Sequence, residues 1–193
     1  MPPLPVAASL VIGYLLGSVA SAIVVCRLLR RPDPRSEGSR NPGATNVLRI
    51  AGKDAAVLTL AGDVLKGVAA VAVARLLTPD PLTWALAGAA AFLGHLYPVF
   101  FGFRGGKGVA TALGALVAAT PVAGALTVLT WFIVFAVFRI SSLGALVAFA
   151  LAPAYVGYLT VRVDLVVVAT AVSLLLFWRH RTNIGRLLAR QER

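Results

Sequence analysis

Apolar residues run through this chain in long blocks, and polar residues collect between the blocks instead of alternating within them. Strict alternation would mark half-buried strands, and a one-sided stripe would mark amphipathic soluble helices. Blocks apolar on every side read as helices in lipid or in a protein interior. A hydrocarbon core of about 30 Å takes roughly 20 residues of helix. Seven segments approach that length: 4–28, 54–77, 82–101, 107–119, 122–138, 142–160 and 164–179. The expectation is an all-α polytopic membrane bundle of seven transmembrane helices, one domain over 1–193. The fourth segment is short and reads either as a half-span or as merging with the fifth, with Thr120 and Pro121 offering a turn between them. The N-terminal MPPLPVAASLVIGYLLG lacks the basic stretch of a signal peptide and reads as the first span.

Composition agrees. The chain is 59% hydrophobic and 13% charged, against roughly a quarter charged in an average soluble domain. A net charge of +11 invites a nucleic-acid partner, but the basic residues sit between and after apolar runs, so no nucleic acid is expected. Arg30, Arg31, Arg35, Arg40, Arg49 and Lys53 fall in the first polar segment, Arg104 and Lys107 in the third connection, Arg139 in the fifth, and Arg179, Arg181, Arg186, Arg190 and Arg193 in the tail. The alternate connections carry only Arg162. By the positive-inside rule the N-terminus lies outside and the C-terminus in the cytoplasm. With Cys26 the sole cysteine, no disulfide within the chain is available. Two distant histidines and no carboxylate cluster make a metal site unexpected.

Three polar stretches carry candidate chemistry. DPRSEGSRNPGATNVLR (33–49) combines Gly38 and Gly43 with Ser39, Asn41, Thr45 and Asn46, and ends on Arg49, whose guanidinium fork suits phosphate. FRGGKGVAT (103–111) places Gly105, Gly106, Lys107 and Gly108 where a helix opens, so backbone N–H groups and a lysine converge on an anion. The spacing is not that of a nucleotide P-loop. The bland reading of both stretches is a solvated, positive membrane-surface turn. FWRHRTNIGRL sets His180 and Asn183 one turn apart. Asp63 and Lys66, one turn apart within a span, are either functional or a neutralised pair facing other helices. His95 is an acid/base group or a hydrogen-bond bracket. Ser141 and Ser142 stand where they could cap a helix.

GSRNPGATNVLR, Asp63-x-x-Lys66-Gly67, GHLYPVFFGFRGGKGVAT and HRTNIGRL, in this order over almost the whole chain, resemble the acyl-phosphate:glycerol-3-phosphate acyltransferases, the PlsY family. The resemblance implies a seven-helix bacterial inner-membrane enzyme with its active site facing the cytoplasm. It implies transfer of a fatty acyl group from acyl phosphate to the 1-hydroxyl of glycerol 3-phosphate, giving lysophosphatidate and phosphate. It implies no cofactor or metal, membrane lipid as surroundings, and a functional link to the enzyme that makes acyl phosphate. The family's motif residues fall on Ser39, Asn41, Gly43, Thr45, Asn46 and Arg49, on His95, Gly105, Gly106, Lys107 and Gly108, and on His180 and Asn183. Ser39, Lys107, His180 and Asn183 are the expected catalytic group, and the others, with Ser142, the expected substrate contacts. The chain departs from the pattern at Arg40, where glycine is frequent, at Ala145, where a second serine is frequent, and near the C-terminus, where the Gly–acid element is only partial in Ala189-Arg190-Gln191-Glu192.

In the reaction so implied, Arg49 and Lys107 bind phosphate and His180 and Asn183 place glycerol 3-phosphate. The proton acceptor stays open between His180 and a substrate phosphate oxygen, whose second pKa is about 6. Two other classes fit parts of the sequence: a transporter for a phosphorylated solute, and a scaffold for anionic lipid. The first expects polar groups at the membrane midplane. The second needs no Gly, Asn or Ser between its basic residues.

Overall fold

The computed structural model describes residues 3–192 and contains ten α-helices and one 3-10 turn, with no strand among the described residues. They are α1 (Pro3–Gly17), α2 (Ser21–Leu28), α3 (Ala44–Ala51), α4 (Lys53–Leu77), α5 (Pro81–Leu96), the 3-10 turn Val99–Phe101, α6 (Val109–Ala119), α7 (Pro121–Phe138), α8 (Ser141–Thr160), α9 (Val163–Arg179) and α10 (Arg181–Leu188). Helix α1 packs against α4 and α5, and α4 packs against α6. Helices α5 to α9 form a ring in which each touches the next and α9 returns to α5.

Large apolar side chains face outward, while several polar and charged ones are buried within an otherwise apolar core. Leu65 and Leu76 on α4 and Phe132 and Ile133 on α7 are exposed, whereas Ser18, Thr59, Asp63, Lys66, His95 and Thr111 are buried. Such a surface needs lipid to cover it. Lys53–Leu77, Pro81–Phe101, Pro121–Phe138 and Ser141–Thr160 are each long and apolar enough to cross a bilayer. Two bent pairs, Leu4–Gly17 with Ser21–Leu28 and Val163–Arg179 with Arg181–Leu188, raise the number to six if each is one span. Val109–Ala119, the expected short fourth segment, is a separate helix of 11 residues, with Pro121 opening the next at its first position.

The expected first span is therefore broken at a point where α1 and α5 are in close contact. Gly17 lies so close to the backbone of Ala91 that a Cβ would overlap its carbonyl. The helix stops there, and the chain bends by 41° before α2. A break within lipid frees backbone groups that must find partners. Ser18 Oγ donates to Tyr14 O at 2.8 Å, and Lys66 Nζ donates to Val19 O at 2.9 Å. Lys66 also pairs with Asp63 at 2.9 Å, the two side chains being only 6% and 4% exposed. Of the two readings of this pair, the inward-facing one describes the structure. The same helix approaches α6 at Gly67, where a side chain would strike the Thr111 carbonyl, the close approach that small residues allow between membrane helices.

The pair carries a stability prediction. Lys66→Met strands both the Asp63 carboxylate and the Val19 carbonyl, a loss of about 3–5 kcal/mol. Thermal unfolding in detergent is expected to show it, and the Asp63→Asn/Lys66→Met double variant is expected to recover part of the loss.

Candidate functional site

The glycine stretch is held from beneath and from one side. Pro98 ends α5, and the chain returns over the end of that helix, where Gly106 N–H donates to His95 O at 3.2 Å. A Cβ on Gly105 would meet the carbonyl of His95, and one on Gly106 would meet His95 Nε2. Gly108, with φ +82, has the ring of Phe92 against it. These three positions need glycine for separate reasons: contact with backbone, contact with a buried ring, and a left-handed turn into α6. His95 is itself buried, with Nδ1 3.3 Å from Thr111 Oγ1 and 3.4 Å from Asp63 Oδ1. It acts as a bracket beneath the loop. Arg179, at the end of α9, donates through Nη2 to Gly105 O at 3.2 Å and Gly106 O at 2.9 Å, and lies over the Tyr97 ring at 5.6 Å.

With its two neighbouring carbonyls so occupied, the loop holds Lys107 at the mouth of the bundle. Lys107 Nζ donates to Asn183 Oδ1, and Asn183 Nδ2 donates to Glu192 Oε1. Glu192 also accepts from Ser142 Oγ at 2.9 Å and from Arg186 Nε at 2.7 Å. Burial lowers the Lys107 ammonium to a pKa of about 8; Glu192 opposes the shift, and the fields of Arg186, Arg179 and Arg49 add to it. Burial tends to raise the Glu192 carboxyl, but its bonds with Asn183, Ser142 and Arg186 outweigh this and hold it below the ordinary value. One carboxylate thus stands among four cations, a setting with a surplus of positive charge for an anion to fill.

His180 is 2% exposed and sits at the 62° bend between α9 and α10. Its Nδ1 lies 2.9 Å from Leu176 O. A carbonyl only accepts, so Nδ1 carries the proton and Nε2 presents a lone pair. Burial lowers the ring to a pKa of about 4; the Leu176 bond opposes this, and the Lys107 charge reinforces it. At neutral pH His180 is an uncharged acceptor.

The first polar loop meets the glycine stretch at Pro42, whose carbonyl would lie 3.0 Å from a Cβ on Gly106. Asn46 spends its amide on that loop, accepting from Ser39 N–H at 2.8 Å and donating to Pro34 O at 3.0 Å and Glu37 O at 3.1 Å. Its observed contacts are those of a loop fastener, not of a group turned to a ligand. Gly43 precedes α3 as its N-terminal flank, Asn41 is half-buried beside it, and Ser39, Thr45 and Arg49 are exposed. Ser142 caps no helix: its hydroxyl is turned to Glu192. Among the described residues no group of three or more His, Cys, Asp or Glu is arranged to hold a metal ion.

Comparison with known proteins decides what this arrangement belongs to. Residues 7–190 match the family described as glycerol-3-phosphate acyltransferase. The chain belongs to that family, in its PlsY branch. The glycerol-3-phosphate acyltransferase of Halorhodospira halophila is 54% identical over 182 residues, 94% of this chain and 92% of the relative. That of Methylococcus capsulatus is 55% identical over 179 residues, 93% and 90% of the two chains. The crystal structure of PlsY, an integral membrane glycerol 3-phosphate acyltransferase, in its glycerol 3-phosphate form superposes with a TM-score of 0.91 at 38% identity, covering 97% of this chain and 94% of that one. Its lysophosphatidic acid form gives 0.88 at 36%.

Within this acyltransferase the structure brings together Lys107, His180, Asn183, Ser142 and the glycines, and adds two residues that sequence reasoning passed over. Arg179 had counted only as a topogenic charge. Glu192 had counted as the remnant of a partial element, yet it joins Asn183, Ser142 and Arg186. Its signal in the sequence was spacing: it follows Asn183 by nine residues, far enough for α10 to run out and the chain to turn back.

The packing beneath the loop predicts that Gly106→Ala, which must displace the His95 ring, lowers kcat/KM by about tenfold to a hundredfold. Gly185→Ala, where nothing lies within 4 Å of the new carbon, is expected to leave it unchanged. Initial rates with purified variants compare the two.

Proposed function

We propose that this chain transfers a fatty acyl group from acyl phosphate to the 1-hydroxyl of glycerol 3-phosphate, releasing 1-acylglycerol 3-phosphate and inorganic phosphate. It does so at the cytoplasmic face of the bacterial inner membrane. In this reading the chain crosses seven times, with the broken α1–α2 as the first span, α6 as the short fourth and the N-terminus outside. The carrying observation is Lys107, half-buried and bonded to Asn183, with Arg49, Arg179 and Arg186 acting on it and glycine backbone on either side. That surplus of fixed cations at one end of an apolar bundle suits a donor with its tail in lipid and its phosphate at the surface. It equally suits a phosphorylated acceptor arriving from water. The matched PlsY structure has forms with glycerol 3-phosphate and lysophosphatidic acid, which agree with this acceptor and product. A functional link to the enzyme that makes acyl phosphate follows from the donor.

Arg49 and Lys107 bind phosphate, assisted by Ser39, Asn41, Thr45, the Gly105, Gly106 and Gly108 backbone and Ser142. Asn183 holds the Lys107 ammonium, and His180 helps to place glycerol 3-phosphate. The hydroxyl oxygen forms a bond to the acyl carbon, the acyl–phosphate C–O bond breaks, and the electron pair leaves with phosphate. Phosphate is already a good leaving group, so positioning and charge stabilisation supply much of the rate. Between the two candidate proton acceptors, the lowered pKa of His180, about 4, favours the substrate phosphate, with its second pKa near about 6.

Purified protein in lipid nanodiscs, given acyl phosphate and glycerol 3-phosphate, is expected to make lysophosphatidate; no product under any acyl chain length defeats the reading. The pH dependence follows from two groups. Lys107 is charged below its pKa of about 8 and loses charge as pH rises through that value, so KM for glycerol 3-phosphate should climb above it. His180, neutral at every pH well above about 4, should contribute no inflection between about pH 6 and 8. His180→Ala should cost about tenfold, mostly in KM. A loss of kcat near 10⁴-fold, in the upper range of about 10²–10⁴ for general-base removal, would instead make the histidine the proton acceptor.

A further inference from the structure

Beside the Lys107 centre lies a second polar opening that the reaction above does not use. It is a pocket of about 410 Å³ between the first loop, through Asp33, Arg35, Ser36 and Arg40, and the start of the glycine stretch, through Arg104 and Gly105. That volume falls in the range of small-ligand sites. The pocket shares only Gly105 with the glycine stretch that carries Lys107; Lys107, Ser142, His180 and Asn183 are not among its walls. The carbonyl of Gly105 is turned to Arg179.

Three guanidinium groups line it. Arg35 is already spent: its Nη2 lies 2.7 Å from Asp33 Oδ2, and its Nε lies 3.1 and 3.3 Å from the two carboxylate oxygens. This pair is a neutral, fixed wall. Arg40 and Arg104 have no carboxylate partner among the described residues. Both are exposed, and both line the pocket. Arg40 also holds a left-handed backbone, φ +57, a conformation that costs energy in any residue with a side chain and is informative when the chain retains it. Phe103, directly before Arg104, is 58% exposed, and Phe100 is 59% exposed, so apolar surface borders the basic one, as at a membrane interface.

Two unpaired guanidinium groups and the Ser36 hydroxyl around one opening match the oxygens of a phosphate group. We infer that this pocket is a second phosphate-binding site, separate from the Lys107 centre, for a phosphate carried by an anionic lipid headgroup or by a soluble phosphomonoester. Its binding does not rest on the acyl-transfer reading. Its effect on turnover does, since a phosphate held here waits beside the glycine loop.

The test uses the full chain in nanodiscs and the Arg40→Gly/Arg104→Gln variant, in which glycine suits the left-handed backbone and the fold is kept. Equilibrium dialysis with labelled inorganic phosphate in phosphatidylcholine discs reads occupancy without any turnover. The wild type is expected to hold one more phosphate per chain than the variant, and Lys107→Ala should retain the extra one. Initial rates then distinguish the sources. For a soluble phosphomonoester, the variant raises KM for glycerol 3-phosphate about fivefold or more in phosphatidylcholine, with kcat kept. For a lipid headgroup, KM is unchanged there, phosphatidylglycerol is expected to accelerate the wild type, and the variant is expected to lack that acceleration. A variant with wild-type phosphate occupancy, wild-type KM and a wild-type response to phosphatidylglycerol overturns the site. Occupancy that falls in a chain unable to transfer acyl groups would keep the site and remove the reaction.

Discussion

A broken helix within an apolar bundle leaves a carbonyl that lipid cannot solvate, and the answer to that constraint runs through the whole site. Val19 O at the break is met by Lys66 Nζ; Lys66 is neutralised by Asp63; Asp63 Oδ1 lies beside His95 Nδ1; and His95 lies under Gly106. Five helices are tied by this line: α1 and α2, α4, α5 and, through Thr111, α6. Buried ion pairs contribute little net stability when compared with apolar replacements, but they are costly to break singly. The line is therefore better understood as fixing one arrangement of the helices than as adding strength. What it fixes, at its far end, is the floor of the glycine loop.

The upper side of that loop is fixed differently. Arg179 engages two successive loop carbonyls, and with the His95 carbonyl bond beneath the backbone has little freedom left. A loop held from both sides can present Lys107 without reorganising when an anion arrives, and such preorganisation is where electrostatic catalysis gains most. The same crowding explains why the glycines are adjacent. Any side chain there would land on atoms that hold the loop.

Much of this was legible in the sequence. The apolar blocks placed the apolar helices to within a few residues, because lipid-facing and core-facing positions alike are apolar and leave no ambiguity of period, whereas α3 and α10 lie in polar stretches outside those blocks. The glycine–lysine stretch and the His180/Asn183 pair were legible because their residue types are chemically unusual beside apolar helices. Three features were not read from it. The break at Gly17–Ala20 was passed over, although Gly17-Ser18 is the kind of pair at which helices kink. Asn46 looked like a ligand group because its type is polar, and only the loop's path shows that its amide is occupied. Glu192 was discounted because the motif around it was incomplete, although φ +54 at Arg190 shows the chain making the left-handed turn without the glycine that usually permits it.

That last turn bears on how the site tolerates its own charge. Lys107, Arg49, Arg179 and Arg186 repel one another, and burial of the lysine makes the repulsion worse. Without a nearby carboxylate the ammonium would lose its proton more readily, and a neutral amine attracts phosphate weakly. Glu192 opposes this by raising the basicity of Lys107 while its oxygens are held by Asn183, Ser142 and Arg186. One carboxylate is enough to keep the lysine charged near neutral pH and too little to cancel the surplus. A second acid at this place would neutralise the attraction on which the proposed phosphate binding depends, and with none the lysine would be less basic. The tail thus sets the field of a site built mainly by residues far from it in sequence.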